Sequence, residues 1–249
     1  MPESEIFSRN EMFWGEDCQN ILASMHAAVF GLGGVGGYCA EALARAGIGK
    51  LTIIDFDEVS ISNINRQIIA LNSTIGKKKS ILFAERLRDI NPDIKLNVYD
   101  EFYVDDFDWE GIDFAADAID TMRSKISLLE NCVKRNIPVI SSMGAGNRID
   151  PTQLYICDIK DIENKNAPFV SNIIHQLSKR GITEGITVVA SREKPFCREK
   201  IASEEKIILK NGEQIEFNKI TPASTPFVAS TAGIYMAYFI VKNFIEGEK

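Results

Sequence analysis

The chain has 249 residues, 28 Lys plus Arg against 35 Asp plus Glu for a formal charge of −7, and 45% hydrophobic residues. This profile excludes a disordered tail or a fibre, and the length accommodates a large core in one embellished domain or two small ones. The acidic balance argues against indiscriminate nucleic-acid binding and leaves room for a local basic patch. At the start, Met1 to Glu5 carries acid where a targeting peptide would carry base, so a cytoplasmic protein is expected. Five cysteines (Cys18, Cys39, Cys132, Cys157 and Cys197) are scattered, with no pair at the two-residue spacing of a zinc knuckle or redox motif.

In chain order, His26 to Gly31 and Lys50 to Asp55 are strand-like, and Gly37 to Ala46 between them predicts a small-residue helix closed by Gly47. Lys79 to Asp89 has a helical pattern ended by Asn91-Pro92. Ile94 to Tyr99, Phe114 to Ile119 and Ile137 to Ser142 read as strands, the last two separated by a helix over Ser124 to Arg135. This alternation predicts an α/β fold, a Rossmann-like and mostly parallel sheet with helices on both faces. From Asp150 the segments shorten into an irregular C-terminal half. It contains a β-hairpin in which Lys206 to Leu209 and Gln214 to Phe217 flank Asn211-Gly212. Phe227 to Ile245 is the most apolar segment, but Ser230, Thr231, Gly233 and Lys242 interrupt it. It is marginal against the roughly 20 apolar residues of a membrane span. A buried final helix, with a subunit interface as one setting, is expected rather than stable membrane insertion.

Gly31-Leu32-Gly33-Gly34-Val35-Gly36 follows a strand and opens a helix, so backbone N–H groups at the helix start can face phosphate. Nineteen residues after Gly36, at the end of the second strand, Asp55 can accept hydrogen bonds from ribose hydroxyls. Together these predict an adenosine nucleotide; a glycine loop used only for tight strand–helix packing is the plainer alternative. The motif by itself serves NAD and ATP alike.

The stretch after Asp55 discriminates between them. About twenty polar and basic positions, including Asp57, Ser62 to Gln67 and Gly76 to Lys79, separate Asp55 from the next helix, a long loop to keep without use. An Asn, an Arg and a Lys converging on one nucleotide could clamp the phosphates of ATP and offset charge developing on leaving pyrophosphate. A hydride-transfer site has no such charge, so an NAD-dependent oxidoreductase would leave Arg66, Lys79 and Asp120 unexplained. Asp120 follows a strand, where open parallel sheets bind ligands. A carboxylate there suits Mg²⁺, which keeps several waters and takes few protein ligands; it also reads as a helix N-cap ahead of Arg123 to Lys134.

These residues resemble the superfamily of ubiquitin-activating-enzyme-like adenylyltransferases, which adenylate a carboxylate using MgATP. The likeness runs through Phe7 to Glu11, Gly31 to Gly36, Asp55 to Asp57, Ser62 to Gln67, Lys79 and Asp120. It implies that Gly31, Gly33, Gly34, Gly36, Asp55, Asp57, Ser62, Asn63, Arg66, Gln67, Lys79 and Asp120 bind ATP, with Asp120 on Mg²⁺. It further implies that Asn63, Arg66, Lys79 and Asp120 act in catalysis, joined by Arg9 reaching into a partner subunit's ATP site, and hence a homodimer. Members that activate ubiquitin-like sulfur carriers, for molybdopterin or thiazole synthesis, usually carry two Cys-x-x-Cys pairs, which this chain lacks. Asn63 to Gln67, Gly144 to Thr152 and Ser191 to Pro195 are instead similar to the tRNA threonylcarbamoyladenosine dehydratases.

That resemblance makes residues 1–249 a single adenylation domain, with 1–150 as nucleotide-binding core and 151–249 as substrate-binding and dimer-forming extension. It implies tRNA as partner and leaves a sulfur-transfer protein open as a further one. The alternative function is an adenylyltransferase for a ubiquitin-like sulfur carrier with a flexible Gly-Gly tail. A non-catalytic nucleotide-binding protein is a further one. Some members have a cysteine before the final apolar helix, whereas Pro222 to Pro226 has none. Cys197 has basic neighbours that could lower its pKa, and reads either as a cysteine with a covalent or sulfur-transfer role or as an incidental loop cysteine. His26 reads as a core residue, and His175 sits mid-helix without a partner in sequence. Arg192, Lys194, Arg198 and Lys200 form a basic cluster, with Lys179-Arg180 and Lys134-Arg135 as lesser ones, available for phosphate or simply solvated.

Overall fold

The structure is a computed structural model and describes residues 5–196, 201–208 and 214–246. Two short helices, α1 (Ser8–Trp14) and α2 (Glu16–Ser24), precede the sheet. Then β1 (His26–Phe30), α3 (Gly36–Ala46) and β2 (Lys50–Ile54) form the first parallel unit. Gly47 ends α3 in the left-handed conformation at φ +89°, a position glycine fills without steric cost. After a long connection come α4 (Lys79–Ile90) and β3 (Lys95–Tyr99), then β4 (Phe114–Asp117), α5 (Met122–Lys134) and β5 (Val139–Ser142). β6 (Leu154–Asp158), α6 (Pro168–Ser178) and β7 (Thr187–Ser191) complete the sheet and its cover.

The seven strands run in the order β3-β2-β1-β4-β5-β7-β6. All neighbours are parallel except the edge strand β6, which pairs antiparallel with β7. Strand order reverses between β1 and β4, and the carboxyl ends of strands flanking such a reversal frame a ligand crevice. Successive residues of β1 feed opposite faces: Ala27 and Val29 enter one core with Leu43, Phe83 and Met236, while Ala28 and Phe30 enter the other with Leu129 and Ile173. Helices α3 and α4 therefore cover one face and α5 and α6 the other, as expected for strands buried on both sides.

Beyond the sheet, β8 (Ile201–Ile208) and β9 (Gln214–Thr221) pair antiparallel in a separate two-stranded ribbon. This is the expected hairpin, longer than the sequence pattern indicated; Leu209 and its Asn211-Gly212 turn lie outside the described residues. The final helix α7 (Pro226–Glu246) is the one helix, among the described residues, long and apolar enough to cross a membrane. Its stripe Val228, Ala229, Ala232, Gly233, Met236, Ala237, Ile240 and Phe244 is buried. A Cβ on Gly233 would strike the Val35 carbonyl oxygen, so the small residues of this helix serve close packing on the start of α3.

Candidate active site

At the reversal point a cleft of ≈ 600 Å³ opens beside the glycine loop. Gly31, at φ +85°, takes the chain out of β1 against the Ala118–Ile119 peptide that follows β4, and Gly33, Gly34 and Val35 line the cleft. Gly36 does not line it. A Cβ there would overlap the Gly31 carbonyl oxygen, so this glycine closes the loop on itself. No side chain caps the start of α3.

Asp55 stands at the end of β2, where it was expected. Its Oδ2 accepts the Leu32 N–H at 2.6 Å and its Oδ1 accepts the Asp57 N–H at 2.8 Å, so the carboxylate ties the glycine loop to the chain beyond β2. Burial pushes its pKa above the ordinary carboxylate value, against the opposing charge of Lys79. Each oxygen retains acceptor capacity toward the cleft.

The long connection after Asp55 is structured. Asn63 Oδ1 accepts the Ser60 N–H at 3.1 Å, which closes a capping box around a short 3-10 turn at Ile61–Asn63. Arg66 lies over Gly34, whose Cβ would touch its Cγ at 3.2 Å. Its Nη1 donates to the Ser62 carbonyl at 2.8 Å and to Asn65 Oδ1 at 2.9 Å. Partial burial lowers its pKa, opposed by the charge of Asp120. Gln67 is 7% exposed and its buried Oε1 has no hydrogen-bond partner. Lys79, buried in the first turn of α4, pairs with Asp57 at 2.8 Å. All of Asp57, Ser62, Asn63, Arg66, Gln67, Lys79 and Asp120 line one cleft. The N-cap reading of Asp120 is corrected: α5 starts at Met122, and its capping position is Thr121. Arg9 is exposed on α1 and is not brought to the cleft of its own chain.

Sequence reasoning missed the other walls. Phe56 and Phe102, in edge contact with ring centroids 5.1 Å apart, line the cleft, as do Ala145, Gly146, Pro222, Ser224 and Ala229. Two segments singled out in sequence meet behind them. Glu193 accepts the Ile149 and Asp150 N–H groups at 3.0 Å through Oε2. Arg148, buried, donates to the Gly144 carbonyl and at 3.3 Å to the Glu193 carbonyl. Asn147, at φ +60°, accepts the Ala223 N–H at 2.9 Å, and Asn65 donates to the Ser224 carbonyl at 2.9 Å. The chain entering α7 is thereby held over the cleft.

The remaining candidates separate. His26 is a core residue as expected, contacting the Gly111 carbonyl at 2.6 Å and Thr52 Oγ1 at 2.7 Å. Cys39 and Cys132 are buried, which pushes their thiols up, and no described cysteine lines the cleft. Cys197, Arg198 and Lys200 lie outside the described residues. The basic cluster is weaker than its sequence suggested: Arg192 pairs with Glu163 at 2.8 Å and stacks over Tyr155, and Arg180 and Lys134 both pair with Glu130.

Known proteins match this architecture. The ThiF family matches residues 7–235. The tRNA threonylcarbamoyladenosine dehydratase of Bacillus subtilis (strain 168) is 39% identical over 246 residues, covering 96% of this chain and 94% of that protein. The crystal structure of the Escherichia coli tRNA N6-threonylcarbamoyladenosine dehydratase, TcdA, in complex with AMP superposes with a TM-score of 0.84 at 30% identity. It covers 97% of this chain and 94% of that one, and a complex of the same enzyme with ATP gives 0.83. The sulfur carrier protein ThiS adenylyltransferase of Escherichia coli is 32% identical over 133 residues, 52% of this chain. The chain therefore belongs to the ThiF family and, within it, to the tRNA threonylcarbamoyladenosine dehydratases.

Proposed function

We propose that this chain uses ATP to dehydrate the threonylcarbamoyl group of a modified adenosine in tRNA, closing it into a ring through an acyl-adenylate. The observation that carries this reading is the single cleft that gathers Arg66, Lys79 and Asp120 around the glycine loop and Asp55. The substrate carboxylate attacks the α-phosphate of ATP and the bond to pyrophosphate breaks. The neighbouring carbamoyl group then attacks the activated acyl carbon, and AMP leaves. Arg66 and Lys79 meet the negative charge developing in the first step. Lys79 Nζ donates to Asp57 and keeps further N–H donors for phosphate. Nucleophile and electrophile sit on one substrate, so effective concentration drives closure without an enzyme nucleophile.

Phe56 and Phe102 put aromatic surface into a cleft of mixed polar and apolar lining, which suits a purine. The donor set suits Mg²⁺: the carboxylates Asp57 and Asp120 both line the cleft, and a cation that keeps most of its waters needs only one or two carboxylates. Asp120 would hold it, where it would neutralise phosphate charge. Exposed Arg9 is assigned to the cleft of a second copy in a homodimer, and 151–249 to tRNA binding and the dimer surface. The compartment is that of tRNA, the cytoplasm. The sulfur-carrier alternative matches relatives over only about half of the chain. Incubation with MgATP and tRNA bearing the linear modification should release AMP and yield a nucleoside lighter by one water. ATP binding with neither product would reject this reading.

A further inference from the structure

The turn that carries Asp120 rests on a charged pair outside the cleft. Asp117, the last residue of β4, and Lys125 on α5 are both 0% exposed, with Lys125 Nζ 2.7 Å from Asp117 Oδ2. The same Oδ2 accepts the Ser141 hydroxyl of β5 at 2.6 Å. Asp117 Oδ1 accepts the Ile119 N–H at 3.1 Å, and Lys125 Nζ also donates to the Ile119 carbonyl at 3.1 Å. One pair thus holds both polar groups of Ile119, and that carbonyl belongs to the peptide bond entering Asp120. On its other side the turn is packed against Gly31, where a Cβ would lie 3.0 Å from the Ala118 carbonyl oxygen. Replacing a buried ion pair by apolar groups of similar volume is often neutral or stabilising, so stability alone gives no reason for this one.

We propose that Asp117 and Lys125 are positioning residues: they fix the Ile119–Asp120 peptide so that Asp120 faces the nucleotide across the glycine loop. The inference rests on adenylation taking place in this cleft. The hold is geometric, through hydrogen bonds to one peptide.

Two double variants of the full chain test it. Asp117→Leu with Lys125→Met fills the space and removes the hold. Asp117→Asn with Lys125→Gln keeps an acceptor and a donor at Ile119 without charge. Both are expected to melt near the parent and to bind ATP within about threefold of it. The apolar pair should lose roughly 10²-fold in kcat, and the amide pair should recover most of that loss. A merely structural role would move Tm and kcat together and give no recovery. A folded apolar pair with parental kcat overturns the proposal, as does an amide pair no better than the apolar one. Should either fail to fold, Ser141→Ala decides: kcat is expected to fall roughly threefold to tenfold at unchanged KM for ATP, and an unchanged kcat overturns the proposal. Asp120→Ala separates the two levels. Parental turnover there means the cleft itself is misassigned, whereas loss there with parental turnover in the apolar pair removes only the positioning role.

Discussion

One wall of the cleft, from the end of β1 through Asp55, is built on a single continuous stretch of chain, a strand, a glycine turn, a helix and a second strand, tied together by the Asp55 contact with Leu32. The facing wall is drawn from afar. Asn65 reaches Ser224 across 159 positions, Asn147 reaches Ala223 across 76, and Glu193 reaches Ile149 across 44. The difference separates two tasks. Nucleotide recognition needs a helix N-terminus and a carboxylate at fixed spacing, which one βαβ unit supplies. An acceptor wall needs only shape, which any distant segments can provide once the sheet brings them together.

If that division is right, damage to each wall should have its own signature. The largest effect is expected at the charges facing the phosphates: Arg66→Ala or Asp120→Ala should cost roughly 10²–10³-fold in kcat. Neither side chain is buried, so the melting temperature should hold. Parental turnover in either would break the assignment of these charges to the phosphates. Gly36→Ala comes next. Its methyl group meets the Gly31 carbonyl oxygen, so ATP titration should show binding weakened roughly tenfold or more and thermal melting a loss of about 1–3 kcal/mol.

On the facing wall, Glu193→Gln weakens the acceptor of the Ile149 and Asp150 N–H groups. Steady-state kinetics should show KM for tRNA raised several-fold with ATP affinity unchanged; an equal loss for ATP would mean the walls are not independent. The smallest effect concerns α3 itself. Burial raises the Glu41 pKa, but hydrogen bonds from Arg86 and Arg45 outweigh it and hold the carboxyl below its ordinary 4.5. A lowered folded pKa gives stability that is present above the ordinary value and lost as pH falls through the folded one. The melting-temperature gap between the parent and Glu41→Gln should therefore be a few degrees near neutrality and close in acid.

Legibility followed the same division. The first strand–helix–strand unit and the final apolar helix are legible because each depends on neighbours in sequence, and the polar stretch from Ser62 to Lys79 is legible as one that reaches the cleft. Strand β4 ends at Asp117, two residues earlier than its apolar run suggested, because the Asp117 carboxylate captures the Ile119 N–H and turns the chain. Lys125 gives no sign of its burial in the sequence, since lysine is almost never fully buried unless paired and its partner, Asp117, precedes the helix. Gly36 shares the glycine pattern of its neighbours, and its tight packing shows only in the approach of the Gly31 carbonyl oxygen. Arg192 read as free positive charge because Glu163, which neutralises it, lies 29 residues away.

The proposed chemistry turns on attack of the substrate carboxylate on the α-phosphate within this cleft. Labelling the threonyl carboxylate of the modified tRNA with ¹⁸O tests this step by mass spectrometry of the released nucleotide. The expected products are AMP carrying one ¹⁸O and a ring-closed nucleoside lighter by one labelled water. Unlabelled AMP, or label recovered in orthophosphate alongside ADP, would contradict it.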